Sequence, residues 1–548
     1  MNKTVLIIIF IIAAVLRLLF LDKAGGLWYD ELVSYNEAVQ NDIFSVISYT
    51  LKTDVHFPLY QIFLHIWSNI FSFSDLSLRL FSVIFGFLTV VISYFAGKEL
   101  KDKNCGLICA SVFAVNSFFI YYSQEVRLYS FLLFLITLNL FSIIKLRNNF
   151  NDKKNYLYFI LSSSMIIYTH TIGFIYVFGV LFGVLLYFIL KKQHLKKLLY
   201  SYLFIFLICL PIFLFIIFNF EKYTSQINGY YCDYSSIFII FQDLFTPVLE
   251  SLLDNPCGYF SKLFAHFSFS VLFFILLPLL CAIFGIFTAI KKDKFCFVLI
   301  SGSMLFLLAE IIAFKITDFK ILPRYASDIM PSLLIVMSYG FSLLNVNKSK
   351  AIVVLFIFIN LFFLIFSPQA AYKQNRNGFK ILAGMINEIP VNKNDYILLW
   401  NRREILDKYI PFQTYKVSLL KDFAYRSETM LQYEKDFKSC NLDKRKNILY
   451  KYFYDNIVPE NTEQYMNFII NDMKKHQKFI ITMYDKFETY NKEVFKELLK
   501  NTNFYEITSF NDLLTIKTLT DIKKLCDEKL NYIETKKQSP FIIIVYEK

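Results

Sequence analysis

An aspartate and a glutamate stand side by side in GLWYDELVSYNEAV, residues 26–39, just beyond an apolar segment at the start of the chain. If the stretch is helical, Asp30, Ser34 and Glu37 share one face at i, i+4 and i+7, with Glu31 about 100° away. A carboxylate held at a bilayer surface beside Trp28 and Tyr29 is partly desolvated, which raises its basicity and suits a general base. Acids in the first turn of a surface helix also cap it and complement its dipole, so the pair alone leaves chemistry and capping open.

Other chemistry-bearing side chains lie far away in sequence. Glu125 and Arg127 occur in YYSQEVRLYS, together with Tyr129, and Lys320 and Arg324 occur in KITDFKILPRY. An arginine at headgroup level is a good bidentate partner for a phosphate; as an exposed ion pair or a positional anchor it would contribute little. His56 in DVHFPLY and His170 in YTHTIG are candidates for hydrogen bonding or metal coordination, although their spacing defines no metal site. Arg17, near the end of the first apolar segment, is expected to snorkel to the interface.

The elements that must position these groups are membrane spans. The 548 residues are 56% hydrophobic, with 63 Phe and 37 Tyr, and only 18% are charged, a balance that requires lipid-facing surface. The net charge of +13 does not point to nucleic acid, because the lysines cluster in short loops between apolar runs. Nine cysteines without a CxxC pair indicate neither a zinc site nor a disulfide framework. Apolar runs at 4–21, 77–97, 106–122, 128–144, 156–171, 173–190, 198–219, 267–290, 295–315, 325–345 and 350–367 are long enough to span. A further run, 58–73, carries Gln61, His65 and Ser68 as a narrow polar stripe and is expected to lie flat in the interface.

Loop charge supports that assignment. With 58–73 flat and the N-terminus cytoplasmic, the basic loops 98–103, 145–154, 191–197, 291–294 and 347–350 all fall inside. Asp30, Glu31, Asp54, His56, Glu125, Arg127, His170, Lys315, Lys320 and Arg324 then converge on the extracytoplasmic face, and the spans are nearly free of ionisable groups, Glu310 being the deep exception. The expected organisation is a transmembrane domain over 1–367, with interfacial helices in a first outer loop at 22–76, and an extracytoplasmic soluble α/β domain over 368–548. In the latter, β-like runs (DYILLW, TYKVSLL, KFIITMYD, FIIIVYEK) alternate with helical stretches such as NTEQYMNFIINDMKKH, and no phosphate loop, GxSxG or HExxH is present.

Five segments in order resemble a known family. An arginine in the first helix precedes a W-x-D-E-x-x-S-like element in LRLLFLDKAGGLWYDELVSYNEA; HFPLYQIFLHIWSNIF is similar to an H-P-P-L-Y…H-x-W stretch; YYSQEVRLYS, YTHTIG and PRYASDIMPSLL resemble Y-S-Q-E-A-R-x-Y, T-H-Y-Y-G and R-Y-x-x-P-x-x-P. These are elements of the GT-C membrane glycosyltransferases, in particular the bacterial relatives of protein O-mannosyltransferases and of the lipid A aminoarabinose transferase (glycosyltransferase family 39-like). Phe57 and Ile172 depart from the pattern, replacing a proline and a tyrosine, and PRYASDIMPSLL lacks the first proline of R-Y-x-x-P. The resemblance implies a polytopic α-helical GT-C fold of about 11 to 13 spans. It also implies a hexosyl- or pentosyltransferase that uses a polyprenyl-phosphate sugar donor on the extracytoplasmic face of the cell membrane. Carried over, Asp30 is the base, with Glu31 supporting it and Glu125 as a second acid. Arg127, Arg324, Lys320 and Arg17 bind the donor phosphate or lipid, and His56, His170 and Tyr129 line the pocket. Some members use a divalent metal and others none. The acceptor is a protein, a lipid or an envelope glycan. The alternatives are a polymerase of surface glycans, which would lack the early Asp-Glu element, and a flippase or transporter, which would line a path through the spans with charge.

Overall fold

The computed structural model describes residues 2–22, 26–171, 173–192, 195–219, 269–317, 328–366 and 379–389, and in the C-terminal part 396–399, 408–409, 415–418, 478–484, 526–528, 530–538 and 541–547. The described residues form two compact units: one from residues 1–23, 33–256 and 263–374, the other from 24–32, 257–262 and 375–548.

In the first unit a helix stands at each of the eleven apolar segments. They are α1 (Asn2–Leu18), α5 (Asp75–Leu100), α6 (Lys103–Val115) with α7 (Ser117–Ser123), α8 (Tyr129–Asn148), α9 (Lys153–Thr169), α10 (Gly173–Lys191), α11 (Leu195–Phe218), α12 (Phe269–Lys292), α13 (Cys296–Thr317), α14 (Met330–Ser342) and α15 (Val346–Phe366). Among the described residues, α5, α8, α10 and α11 have the full length and apolarity of a span, and α6 with α7 is a fifth, bent by 59°. The starts of α5, α6 and α9 follow from capping: Ser74, Asp102 and Asp152 accept the N–H of Ser77, Cys105 and Lys154 at 3.3, 2.8 and 2.9 Å.

Two segments differ from the sequence expectation. The run 106–122 is broken at Asn116, whose Oδ1 accepts the N–H of Phe119 at 3.2 Å and so starts a new helix where the old one stops. In the run 325–345 the described α-helix covers Met330–Ser342, with Pro331 in its first turn, where a missing N–H costs nothing.

The 58–73 run forms α4 (Leu59–Ile70), 12 residues long. At 1.5 Å per residue it spans about 18 Å, too short to cross a hydrocarbon core of about 30 Å. It is preceded by α2 (Tyr29–Ala38) and α3 (Ile43–Thr53). α5 packs along α6 and α8, α8 on α9, α10 on α13, and α12 on α14. The α12–α14 crossing is close: a Cβ on Gly340 would stand 1.8 Å from the Gly285 carbonyl oxygen, so both positions need glycine. Polar side chains inside the bundle bond one another, as where Asn139 Nδ2 donates to Ser162 and Ser163 Oγ at 2.9 and 2.8 Å across α8 and α9.

The second unit contains α16 (Phe379–Asn387) and strands β1 (Tyr396–Leu399), β2 (Tyr415–Ser418), β3 (Lys478–Tyr484), β4 (Asn531–Gln538) and β5 (Phe541–Glu547), in the order β2-β1-β3-β5-β4. β1 is parallel to β2 and β3, whereas β5 is antiparallel to β3 and β4. Ile481 of β3 faces Ile544 of β5 in register, both buried, and α16 packs on β4 and β5. Four of these strands coincide with the β-like runs of the sequence; β4 was not expected. The helical stretch read at 461–476 lies outside the described residues.

Candidate active site

The Asp30–Glu31 element begins α2 in the second unit. The buried Glu31 Oε2 accepts the N–H of Trp28 at 3.0 Å, so this carboxylate caps its own helix from the third position of the first turn. Asp30, one residue earlier, is half-buried. The backbone leading to it is held from far along the chain: the Leu27 N–H donates to Tyr409 Oη at 2.7 Å. Gly26 makes room for that contact. Its φ is +75°, and a Cβ there would lie 2.6 Å from the same hydroxyl.

In the first unit, charged and imidazole groups from five places in the sequence meet. Arg127, in the turn between α7 and α8, donates from Nη1 to Ser34 Oγ at 3.1 Å. One turn further along α2, Glu37 Oε2 accepts from Gln61 Nε2 of α4 at 2.9 Å, and both residues are fully buried. Asp54, in the α3–α4 loop, accepts the N–H of Val55 and His56 at 2.6 and 3.2 Å. The His56 ring stacks on His170, with centroids 4.5 Å apart and planes 23° from parallel. Thr171 donates its hydroxyl to the Val55 carbonyl, joining the end of α9 to the same loop. The Tyr129 ring lies 6.3 Å from His170.

The electrostatics follow from burial and these neighbours. Desolvation, then the adjacent Asp54, push the Glu37 carboxyl well above the usual range, against the pull of Arg127 and Gln61. For Asp54 burial also raises the value, but His56, Arg127 and the two backbone N–H groups together bring it below the usual carboxylate range. Burial, then His56 and Arg127, hold the His170 imidazole well below the usual histidine range.

The turn carrying Arg127 is itself anchored. Gln124 Nε2 donates to the Arg17 and Leu19 carbonyls at 3.2 and 2.8 Å, tying the turn to the end of α1. Arg17 does not snorkel. It is 0% exposed and turned inward, donating to the carbonyls of Ala13, Ala114 and Phe113 at 3.1, 3.0 and 3.1 Å. The last two are carbonyls that α6 leaves without helical partners where it breaks, and a buried guanidinium satisfies both. Glu125 is buried in the same turn. Arg324 and Lys320 lie outside the described residues.

His65 makes no use of headgroups: its Nδ1 donates to the Ala38 carbonyl at 2.8 Å, so the polar stripe of α4 faces α2 while Phe63, Ile66 and Ile70 are exposed. Among the described residues no three His, Cys, Asp or Glu side chains are grouped so as to hold a metal ion.

The family model for dolichyl-phosphate-mannose-protein mannosyltransferase matches residues 55–224, a stretch that includes His56, Arg127 and His170. ArnT from Cupriavidus metallidurans in the apo state superposes with a TM-score of 0.55 at 11% identity, covering 100% of this chain and 98% of that one. The same protein bound to undecaprenyl phosphate gives 0.57 at 11% identity, covering 98% and 97%. The chain has the GT-C fold. The GT-C likeness extends to the apo oligosaccharyltransferase of Archaeoglobus fulgidus, with a TM-score of 0.50 at 13% identity over 94% of this chain and 72% of that one. No curated protein sequence is significantly similar. With its apolar helices, this GT-C chain is a multi-pass membrane protein, similar in fold to ArnT and matching the mannosyltransferase model over residues 55–224.

Ser34, Glu37 and Gln61 were not among the site residues expected from sequence, and Asp54 was placed on the outer face without a role. The signal of the first three lay in two polar stripes, one on α2 and one on α4, which the fold sets against each other.

Proposed function

We propose that the protein is a membrane glycosyltransferase that moves a sugar from a polyprenyl-phosphate-linked donor to an acceptor on the extracytoplasmic face. The observation that carries this reading is the GT-C fold along the whole chain, shared with a structure holding undecaprenyl phosphate. In the proposed step Asp30 takes the proton of the acceptor nucleophile as it attacks the anomeric carbon of the sugar. The bond to the phosphate breaks on the opposite side, with inversion. Negative charge develops on the leaving phosphate, and Arg127, with Arg324 and Lys320, stabilises it. Glu31 orients the first turn of α2, Glu125 is the second acid, and His56, His170 and Tyr129 shape the pocket. Arg17, with its donors committed to carbonyls, acts through the turn it braces.

The same reading puts the N-terminus in the cytoplasm and residues 368–548 outside, which thiol-labelling of single introduced cysteines in intact cells tests. The deciding experiment for the activity is donor turnover by purified protein in nanodiscs with a panel of polyprenyl-phosphate sugars and envelope extract as acceptor. Asp30→Asn keeps the shape and removes the base, so turnover falls by about a hundredfold or more. Undiminished turnover in a folded variant removes Asp30 from the base role.

A further inference from the structure

Glu37 has no part in the step just described, yet it is built into the middle of the charged cluster. Its carboxyl is fully buried and accepts the Gln61 amide at 2.9 Å on Oε2, while Oε1 is buried and receives no hydrogen-bond donor; the neighbouring charge that pushes it up most is the Asp54 carboxylate. Two neighbouring buried carboxyl groups cannot both hold a full negative charge without a large desolvation and repulsion cost. One proton between them removes that cost. Which oxygen carries it follows from the other bonds. Asp54 receives two backbone N–H groups, from Val55 and His56, and these favour its ionised form. Glu37 receives one neutral amide and sits on a helix, one turn beyond the Ser34 that holds Arg127.

We propose that Glu37 is a positioning residue: a carboxylic acid whose O–H donates to Asp54, locking α2 to the 54–56 loop. The lock joins two halves of the cluster. On one side α2 presents Ser34 to Arg127; on the other Asp54 fixes the backbone of His56, whose ring rests on His170. Besides Asp54, the charged group acting on Glu37 is Arg127 from the α7–α8 turn; His56 from the loop faces Asp54, His170 from the end of α9 faces His56 and Arg127, and His65 from α4 bonds the end of α2. Among the described residues Arg127 is the arginine acting on both carboxyl groups, and one shared proton leaves it a single negative charge to balance. The consequence for donor binding rests on the transferase reading; the shared proton does not.

Glutamine reproduces this bonding pattern, since its carbonyl accepts from Gln61 and its amide donates to Asp54. The experiment compares wild type, Glu37→Gln and Glu37→Ala as full-length protein in nanodiscs. Infrared difference spectra of wild type minus Glu37→Gln at neutral pH are expected to contain the carbonyl stretch of a protonated carboxyl group, shifting in heavy water. Kinetically, Glu37→Gln keeps kcat/KM for the donor within about threefold, whereas Glu37→Ala loses about tenfold to a hundredfold, mainly through KM. Absence of the protonated band, or a Glu37→Gln loss as large as that of Glu37→Ala, overturns the proposal. If wild type turns over no donor, the transferase reading fails while the infrared band still decides the lock.

Discussion

His56 and His170, 114 residues apart in sequence, lie ring on ring with centroids 4.5 Å apart, each brought there by a helix end rather than a helix interior. His56 precedes α4 and His170 caps the end of α9, so the stack clamps an outer loop to the end of a membrane helix. The clamp has a pH signature. His170 is buried and held well below its ordinary 6.5, so as pH falls below that value the unfolded chain takes up a proton that the folded one refuses. Stability is therefore lost on acidification from about pH 6.5 downward, by at most about 1.4 kcal/mol per pH unit from this group. Glu37 works in the opposite direction: with its value raised above the usual 4.5, it contributes stability that declines as pH rises above about 4.5. The two slopes oppose each other in mildly acidic solution. Thermal unfolding in detergent should show a flat wild-type profile there, a profile rising with pH for Glu37→Gln, and one falling with pH for His170→Gln.

Arg127 is expected to matter through geometry as much as charge. Its guanidinium is 8% exposed and bonded to Ser34, a setting in which a planar fork can face a phosphate and a lysine cannot replace it. Arg127→Lys should raise the donor KM by about tenfold or more, and Ser34→Ala by a smaller factor in the same direction. Equal donor affinity in wild type and Arg127→Lys, measured by titration of polyprenyl phosphate, would take the phosphate away from this residue.

Arg17 separates support from chemistry. Arg17→Met keeps much of the volume but leaves the Phe113 and Ala114 carbonyls without their donor in the bundle interior. The expected cost is about 3 kcal/mol of stability, read as a lower unfolding temperature, with whatever folded fraction remains still binding polyprenyl phosphate. Loss of phosphate binding at unchanged unfolding temperature would give Arg17 a direct role instead.

Tyr409 supplies the acceptor for the Leu27 N–H. Tyr409→Phe should cost about 1 kcal/mol locally and speed hydrogen exchange at the Leu27 amide by about fivefold. Exchange at the Ser82 carbonyl's partner region at the start of α8, where Ser130 bonds α5, should be unaffected.

Much of this molecule was readable from residue types alone, for reasons of local physics. Ser74, Asp102 and Asp152 announce helix starts because a short polar side chain before an apolar run has an orphan N–H within reach. The strands β1, β3 and β5 are short apolar runs rich in β-branched and aromatic residues, and β2, YKVS, alternates in polarity. β4, in contrast, reads NYIETKKQ, and it is a strand because β5 lies beside it, not because of its own pattern. The polar stripe of α4 was visible, but whether Gln61 and His65 meet water, headgroups or protein depends on which element lies opposite. That element is α2, and its Glu37 turned from a bystander on a helix face into the centre of a cluster. Arg17 was misplaced for the same reason. An arginine near a helix end has two ways to satisfy its donors, and only the break in α6 decides between them.

The bond between Leu27 and Tyr409 also sets an order of events in the life of the chain. Among the described residues, the side chains bonded or stacked in the cluster around Arg127 come from the first 171 residues, so their packing can form while the ribosome is still at work. The backbone beside Asp30 is different: its hydroxyl partner is made 382 residues later. A chain that stops short of Tyr409 therefore lacks the hydroxyl that holds the Leu27 amide, and the backbone leading into Asp30 is fastened only once residue 409 has been made and folded.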